Sequence, residues 1–473
     1  MRQLFSTYMQ KITVLFILIS LTSFSQDFEI IKHKGNPISI EHLLQKYIRI
    51  PSVSGSEKEA GEFIKSVCKE NGLYITSFGT ENGNYNFAAS VFPLESKKPT
   101  IIFLNHIDVV PEIKSETNTP YSGEIKNNTI YGRGAFDNKG VALMQLHSIL
   151  QYSKLIDISK SKYNVAFLAV SCEETQCDGG IKYVVDNHLE ELNPAVVIGE
   201  GPSELTNLIS GEFKNPIYGI SVAQKRVFWL KLEVEIKTNG HGSVTPVEYS
   251  NKRMVKSLTK LTKRKSKIIY NDLNVNLLKF LGTHKKGIEK LVLKHPRLFK
   301  PFIISRIRKQ PELAALFTNT VTLTNIYTDS DAYNIVPTRT TAYLDCRLLP
   351  QTDEKEFLES IRKRINNDAV KITITQSTPK SEPSSLDNIY YENLKSAILE
   401  KYKNAQTLPI LLPNANDLVA FRIKGILSYA TIPINLSRKE LECVHNKNEH
   451  LSIPLLYDCS EVYLRFIQKM QGI

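Results

Sequence analysis

Six acidic and imidazole side chains stand where an isolated charge would be costly. His106 and Asp108 follow the apolar run from Pro99 to Leu104, which reads as a buried strand. Two residues apart in an extended chain, they point to one face. A neutral imidazole can bind a metal ion. A carboxylate behind it can take its other N–H, fixing the tautomer and raising its basicity. Glu173 and Glu174 end the most apolar strand of the chain, Tyr163 to Ser171. Adjacent carboxylates there repel each other and resist desolvation. A nearby cation removes that cost, so one can ligate while its neighbour stays free as a base. Glu200, between Gly199 and Gly201, ends a further apolar run, Ala195 to Ile198. Asp137 lies in Tyr131-Gly132-Arg133-Gly134-Ala135-Phe136-Asp137-Asn138-Lys139-Gly140, where glycines permit a tight turn just before a helix. The glycine spacing is wrong for a dinucleotide loop, and no strand feeds directly into it.

The elements that must position these residues alternate. Helices are expected over Ile40 to Tyr47, Glu57 to Asn71, Lys139 to Tyr152 and from Gly180 to Asn187. Between them lie strands at Asn86–Val91, Thr100–Leu104, Tyr163–Ser171 and Ala195–Ile198, with a loop or hairpin at Tyr121–Tyr131. Such alternation predicts a doubly wound, mainly parallel α/β sheet. Ligands then bind outside the C-terminal strand ends, where His106, Asp108, Glu174 and Glu200 all fall. Near Pro216 the pattern changes: Phe228–Ile236 alternates as a half-exposed strand, with further strands at Thr320–Thr328, Thr338–Leu348 and Val370–Thr375 and helices from about Pro246 and over Asp353–Asn366. That order predicts an inserted ferredoxin-like α+β unit. The expected division is 26–215 and 377–473 for the catalytic domain and 216–376 for the insert, with Gln376–Asp387 as the return linker.

These motifs, in this order, resemble the co-catalytic zinc peptidases of clan MH, the family of glutamate carboxypeptidase, carnosinase, aminoacylase and yeast carboxypeptidase S. The resemblance runs from about residue 40 to the C-terminus. Asp108-Val109-Val110-Pro111 and Asn334-Ile335-Val336-Pro337 place it nearest the carboxypeptidase S-like branch. It implies two zinc ions, with manganese or cobalt also accommodated by such donors. Asp137 would bridge them, with His106 and Glu200 at one and Glu174 and a late histidine at the other. His445 and His450 compete for that last place; the family pattern His-x-x-Asn-Glu falls on His445, Asn448 and Glu449. Glu173 would take a proton from the attacking water and pass it to the leaving nitrogen, with Asp108 behind His106. In the insert, which would serve as a lid and dimerisation domain, Gly240-His241-Gly242-Ser243 matches a family motif. It implies a homodimer in which His241 steadies the oxyanion in the partner's site; without the family it reads as a turn histidine. Asn334 and Arg347 also match, Arg347 as a clamp for a substrate carboxylate or else as a surface ion pair. One departure is Asn414-Ala415-Asn416-Asp417-Leu418-Val419, which lacks the arginine that aminoacylase-like members carry there. His147 lies on no recognised motif and is read as structural.

Composition is that of a globular protein, 42% hydrophobic and 23% charged, which excludes a disordered chain. The net charge of +12 is local: residues 252–309 hold 18 Lys+Arg against 2 Asp+Glu, and the remainder 42 against 46. That excludes a nucleic-acid signature for the whole chain. The basic segment interleaves Leu277, Leu278, Phe280, Leu281, Leu291, Val292, Leu293, Phe302, Ile303 and Ile304. It reads as lid helices with solvated lysines, or as a basic amphipathic surface for peripheral membrane contact or acidic substrates. Six cysteines are too sparse for a disulfide scaffold. Buried thiols are the plainer reading, with Cys172–Cys177 a candidate short bridge. Arg2 and Lys11 precede the apolar run Ile12 to Phe24, with small residues around Phe24. This is the pattern of a signal peptide over residues 1–25, placing the chain in the periplasm or outside the cell; an uncleaved anchor is the rival. The expected function is hydrolysis of small peptides as a metallo-carboxypeptidase or dipeptidase. The rivals are an N-acyl-amino-acid amidohydrolase and an inactive binding module on the same fold.

Overall fold

Two strands, Thr100–His106 and Asn164–Val170, have every residue buried, as strands covered on both faces must. The computed structural model describes residues 31–79, 84–113, 119–206, 213–238 and 240–473. The expected signal peptide lies outside them. The chain divides into two compact units: Met1–Asn207 with Ile389–Lys403 and Ile432–Ile473, and Leu208–Asn388 with Asn404–Thr431.

In the first unit, Thr100–His106 pairs in parallel with Asn164–Val170 on one side and Pro194–Gly199 on the other. Asn86–Ser90 and Tyr74–Phe78 extend this sheet in antiparallel fashion. The helix Lys139–Leu155 is buried from Lys139 to Leu150, so it is a core helix rather than an amphipathic surface one. It packs on the C-terminal helix Ile453–Gln471. Phe103 meets Tyr463 and Phe466 of that helix edge to face. Each such buried ring contributes about 1.5–3 kcal/mol. Lys139 is wholly buried, with its Nζ donating to the carbonyls of Tyr47 and Ile50 at 3.1 and 2.6 Å. These bonds tie the start of the core helix to the end of the helix Ile40–Ile48.

The second unit holds a four-stranded antiparallel sheet in the order Thr320–Thr328, Arg339–Leu348, Arg226–Glu235, Lys371–Ser377. Burial alternates along Arg226–Glu235 and Arg339–Leu348. The inward set, Phe228, Leu230, Leu232, Leu344 and Leu348 among it, packs with Met254 and Leu258 of the helix Ser250–Lys263 and Phe357 and Ile361 of the helix Glu354–Ile365. This is the ferredoxin-like unit expected. The same unit contains Ile217–Gln224, parallel to Gln406–Leu412 and antiparallel to Ser428–Ala430. That pairing is why residues 404–431 belong to the second unit. The basic segment, 252–309, takes in most of the helix Ser250–Lys263 and three short helices, Asp272–Thr283, Gly287–Lys294 and Lys300–Ile307. Among the described residues no helix is long and apolar enough to cross a membrane.

His147 is structural. Its Nδ1 lies 2.8 Å from Ser460 Oγ, and its ring stands edge-on to Tyr457. Burial holds its pKa down to about 4 from 6.5. Between those values the unfolded chain binds a proton that the folded chain refuses, so this group makes stability fall as the pH drops from 6.5 towards 4. His147→Gln is expected to flatten that part of the stability-against-pH curve in urea titrations. An unchanged slope would contradict the assignment.

Candidate metal centre

Asp137 is the hinge of the site. Its Oδ1 lies 3.1 Å from His106 Nε2, and its Oδ2 lies 2.9 Å from His445 Nε2. Each imidazole nitrogen also faces a second carboxylate: Glu200 Oε2 is 3.4 Å from His106 Nε2, and Glu174 Oε1 is 3.1 Å from His445 Nε2. A single ring N–H cannot point at two carboxylates at once. Each imidazole thus faces two carboxylates, and the two sets share one aspartate. Ligand atoms of His106, Asp137 and Glu174 lie within 4.8 Å of one another, as do those of His106, Glu173 and Glu200. The imidazole and carboxylate donors fit a pair of divalent cations.

The sequence positions each donor by a local device. His106 is the last residue of its strand, and its Nδ1 lies 3.0 Å from the Asp108 carbonyl and 3.3 Å from Asp108 Oδ1. Asp108 does more than steady this ring. Its Oδ1 accepts from the backbone N–H of Glu173 at 3.0 Å, and its Oδ2 from that of Glu174 at 3.1 Å and from Ser54 Oγ at 2.6 Å. One buried carboxylate thus sets both the histidine and the paired glutamates. Gln176 donates to the Glu173 carbonyl and to its Oε1 at 2.7 and 3.2 Å. Cys172 and Cys177 are joined by a disulfide that closes this same loop. Cys68, Cys346 and Cys459 are buried thiols, and Cys443 is half-buried.

Asp137 does not cap the helix that follows it. The N-cap is Asn138, which makes no side-chain cap bond. Its Nδ2 instead donates to Glu200 Oε2 at 2.9 Å. Asp137 is held by Glu449, whose role the residue pattern alone left unassigned. Glu449 is buried and accepts from the backbone N–H groups of Gly134, Phe136 and Asp137 at 3.1, 3.0 and 3.0 Å. Arg133 Nη1 completes the cradle at 2.9 Å. The segment carrying His445 is thereby fastened to the Asp137 turn. His450 goes elsewhere: its Nδ1 lies 2.8 Å from the Asn448 carbonyl, and its ring stacks on Tyr131.

Burial works against charge on His106, but the carboxylates of Asp108, Asp137 and Glu200 outweigh it and hold its pKa well up. Asp137 and Glu174 push His445 up to about 10. Burial also opposes ionisation of Asp137, yet the two imidazoles pull its pKa below the usual carboxylate value. For Glu200, burial and then the Asp137 charge raise it. The cluster is a concentration of negative charge that needs positive charge to hold it.

His241, Asn334 and Arg347 belong to the second unit. His241 bridges to Ile335 in antiparallel fashion, the backbone N–H of Gly242 donates to the Asn334 carbonyl at 2.8 Å, and His241 Nδ1 lies 2.7 Å from Ser243 Oγ. Arg347 closes its fork on Asp345, at 2.8 and 3.2 Å, and Trp229 Nε1 donates to the same carboxylate at 3.0 Å.

The chain thus holds a mainly parallel sheet with histidine and carboxylates at its strand ends and, as a separate unit, a ferredoxin-like sheet, the α/β class of architecture expected of a metallohydrolase. The chain belongs to peptidase family M20/M25/M40, whose model matches residues 102–469. It is a hydrolase of that family. It is 25% identical over 386 residues to "Probable carboxypeptidase S-like 2" of Dictyostelium discoideum, covering 80% of this chain and 72% of the relative. It is also 25% identical over 451 residues to "N-fatty-acyl-amino acid synthase/hydrolase PM20D1" of Mus musculus, covering 91% and 88%. Among solved structures, the M20 family metallo-carboxypeptidase Sso-CP2 from Sulfolobus solfataricus superposes with a TM-score of 0.69 at 21% identity, over 92% of this chain and 99% of that one.

Removing the Glu449 carboxylate leaves Arg133 buried and three backbone donors unmatched. Glu449→Ala is expected to lower stability by about 3–5 kcal/mol. The milder Glu449→Gln is expected to fold and to weaken metal binding by about 10–100-fold. Denaturant titration and metal-binding calorimetry measure the two effects. Metal affinity unchanged in Glu449→Gln would contradict the cradle.

Proposed function

We propose that the protein is an exported, zinc-dependent metallopeptidase of carboxypeptidase or dipeptidase type. It hydrolyses an amide bond of small peptides. The observation that carries this reading is the shared aspartate, with one oxygen turned to each of two histidines. His106, Asp137 and Glu200 would hold one zinc ion, and Asp137, Glu174 and His445 the other; manganese or cobalt suit the same donors. When bound, such a pair supplies an acidified water and a polarised scissile carbonyl.

Glu173 supplies the proton traffic. Its carboxylate reaches within 4.8 Å of ligand atoms of His106 and Glu200, and Asp108 and Gln176 restrain its backbone and side chain. It takes the proton of the attacking water and delivers it to the leaving nitrogen. On the substrate side, His241 of a second copy steadies the oxyanion, and Asn334 and Arg347 bind the substrate, Arg347 exchanging Asp345 for the substrate carboxylate. The leader pattern at residues 1–25 supports export.

A second reading is an N-acyl-amino-acid amidohydrolase, with the same chemistry on a different acyl group. The similarity to the mouse protein, over 88% of its length, favours it. Dipeptides assayed beside N-acyl amino acids separate the two. Glu173→Ala is expected to keep its metal and lose about 10²–10⁴-fold in turnover on the preferred panel. Retained turnover would remove Glu173 from this role. A metal-loaded wild type inactive on both panels would leave only a binding module.

A further inference from the structure

We propose that the basic segment is a docking surface for an anionic lipid bilayer. Its helices have an inner face that is already satisfied. Val275, Leu278, Leu281, Leu293, Ile303 and Ile307 are buried, and Leu293 packs closely over Gly282. A second apolar set faces outward. Ile288 is 81% exposed, Leu291 52%, Leu298 75% and Phe302 72%. Ile288 and Leu291 are three apart in the helix Gly287–Lys294 and so share a face. Leu291 lies two residues from buried Leu293, about 200° round the helix, and turns away from the core. Phe302 precedes buried Ile303 in the helix Lys300–Ile307.

The charge around this set has one sign. Between residues 252 and 309 the acidic side chains are Asp272 and Glu289. Both are taken: Asp272 pairs with Arg297 at 2.7 Å, and Glu289 pairs with Arg306. Exposed Lys286, Lys290 and Lys294 have no acidic partner among the described residues. Large apolar side chains held in water among unneutralised lysines fit the interfacial zone of a bilayer. There the apolar groups enter the acyl boundary and each lysine near the surface contributes about 1 kcal/mol. A protein partner would need acidic groups matched to these positions; an anionic lipid surface supplies negative charge wherever a lysine lies. The inference rests on this surface alone and is independent of the chemistry at Asp137.

The test is co-sedimentation of the full chain with phosphatidylglycerol-containing vesicles and with neutral phosphatidylcholine vesicles, at low and high salt. Two variants are compared with the wild type: Lys286→Gln/Lys290→Gln/Lys294→Gln, and Ile288→Ser/Leu291→Ser/Phe302→Ser. All share every other residue, so differences report this surface and not the N-terminus. The wild type is expected to bind anionic vesicles more tightly, with the preference lost at high salt. The lysine variant is expected to bind roughly 100-fold more weakly, and the apolar variant at least about ten-fold more weakly. Hydrolysis of a soluble substrate stays unchanged in both. Vesicle binding unaffected by either variant overturns the proposal. So does a concentration-dependent dimer that the apolar variant abolishes while vesicle binding persists, which assigns the face to a second copy.

Discussion

The structure turns on one electrostatic constraint: carboxylates crowded at the ends of buried strands must be balanced by positive charge. Asp137, Glu174 and Glu200 converge on the Nε2 atoms of His106 and His445 at 2.9–3.4 Å. Asp108 and Glu449 stand directly behind them. Such a cluster repels itself in a low-dielectric setting. Its persistence in the fold requires that each carboxylate be held by fixed dipoles and that cations complete the balance. Asp108 and Glu449 show how the holding is done. Between them they take five backbone N–H groups, so the charges are anchored to the main chain rather than to mobile side chains.

This arrangement underlies the division of labour proposed for the adjacent glutamates. Both hang from Asp108 by their backbone N–H groups. Glu174 turns to His445, whereas Glu173 is bonded by Gln176 inside the loop closed by Cys172 and Cys177. The proposed ligand and the proposed base are thereby held apart, one turned to His445 and the other bonded within the loop.

Much of this was legible in the residues. Apolar runs ending in charge marked the strands of His106, Glu174 and Glu200, because burying both faces leaves an uninterrupted hydrophobic signature. The ferredoxin-like unit showed through the alternation along Phe228–Ile236 and through the order of strands and helices that follows it. What stayed hidden depends on distance along the chain. Glu449 lies 312 residues from the N–H of Asp137 that it accepts, and no local pattern encodes that contact. In the strand Tyr74–Phe78 only Phe78 is buried, and Thr76 and Ser77 interrupt the apolar signal. Ile217–Gln224 is wholly buried but carries Gly219, Ser221 and Gln224, which break the run. Asn138 resembles an ordinary helix cap, yet its amide is spent on Glu200.

The central claim is that one aspartate joins two cation sites. Its most direct measurement is the metal content of the protein after titration with zinc and removal of the excess, in the wild type and in Asp137→Ala. The account predicts two bound ions per chain in the wild type and the loss of tight binding at both positions in the variant. One ion or none in the wild type, or two retained in the variant, would contradict it.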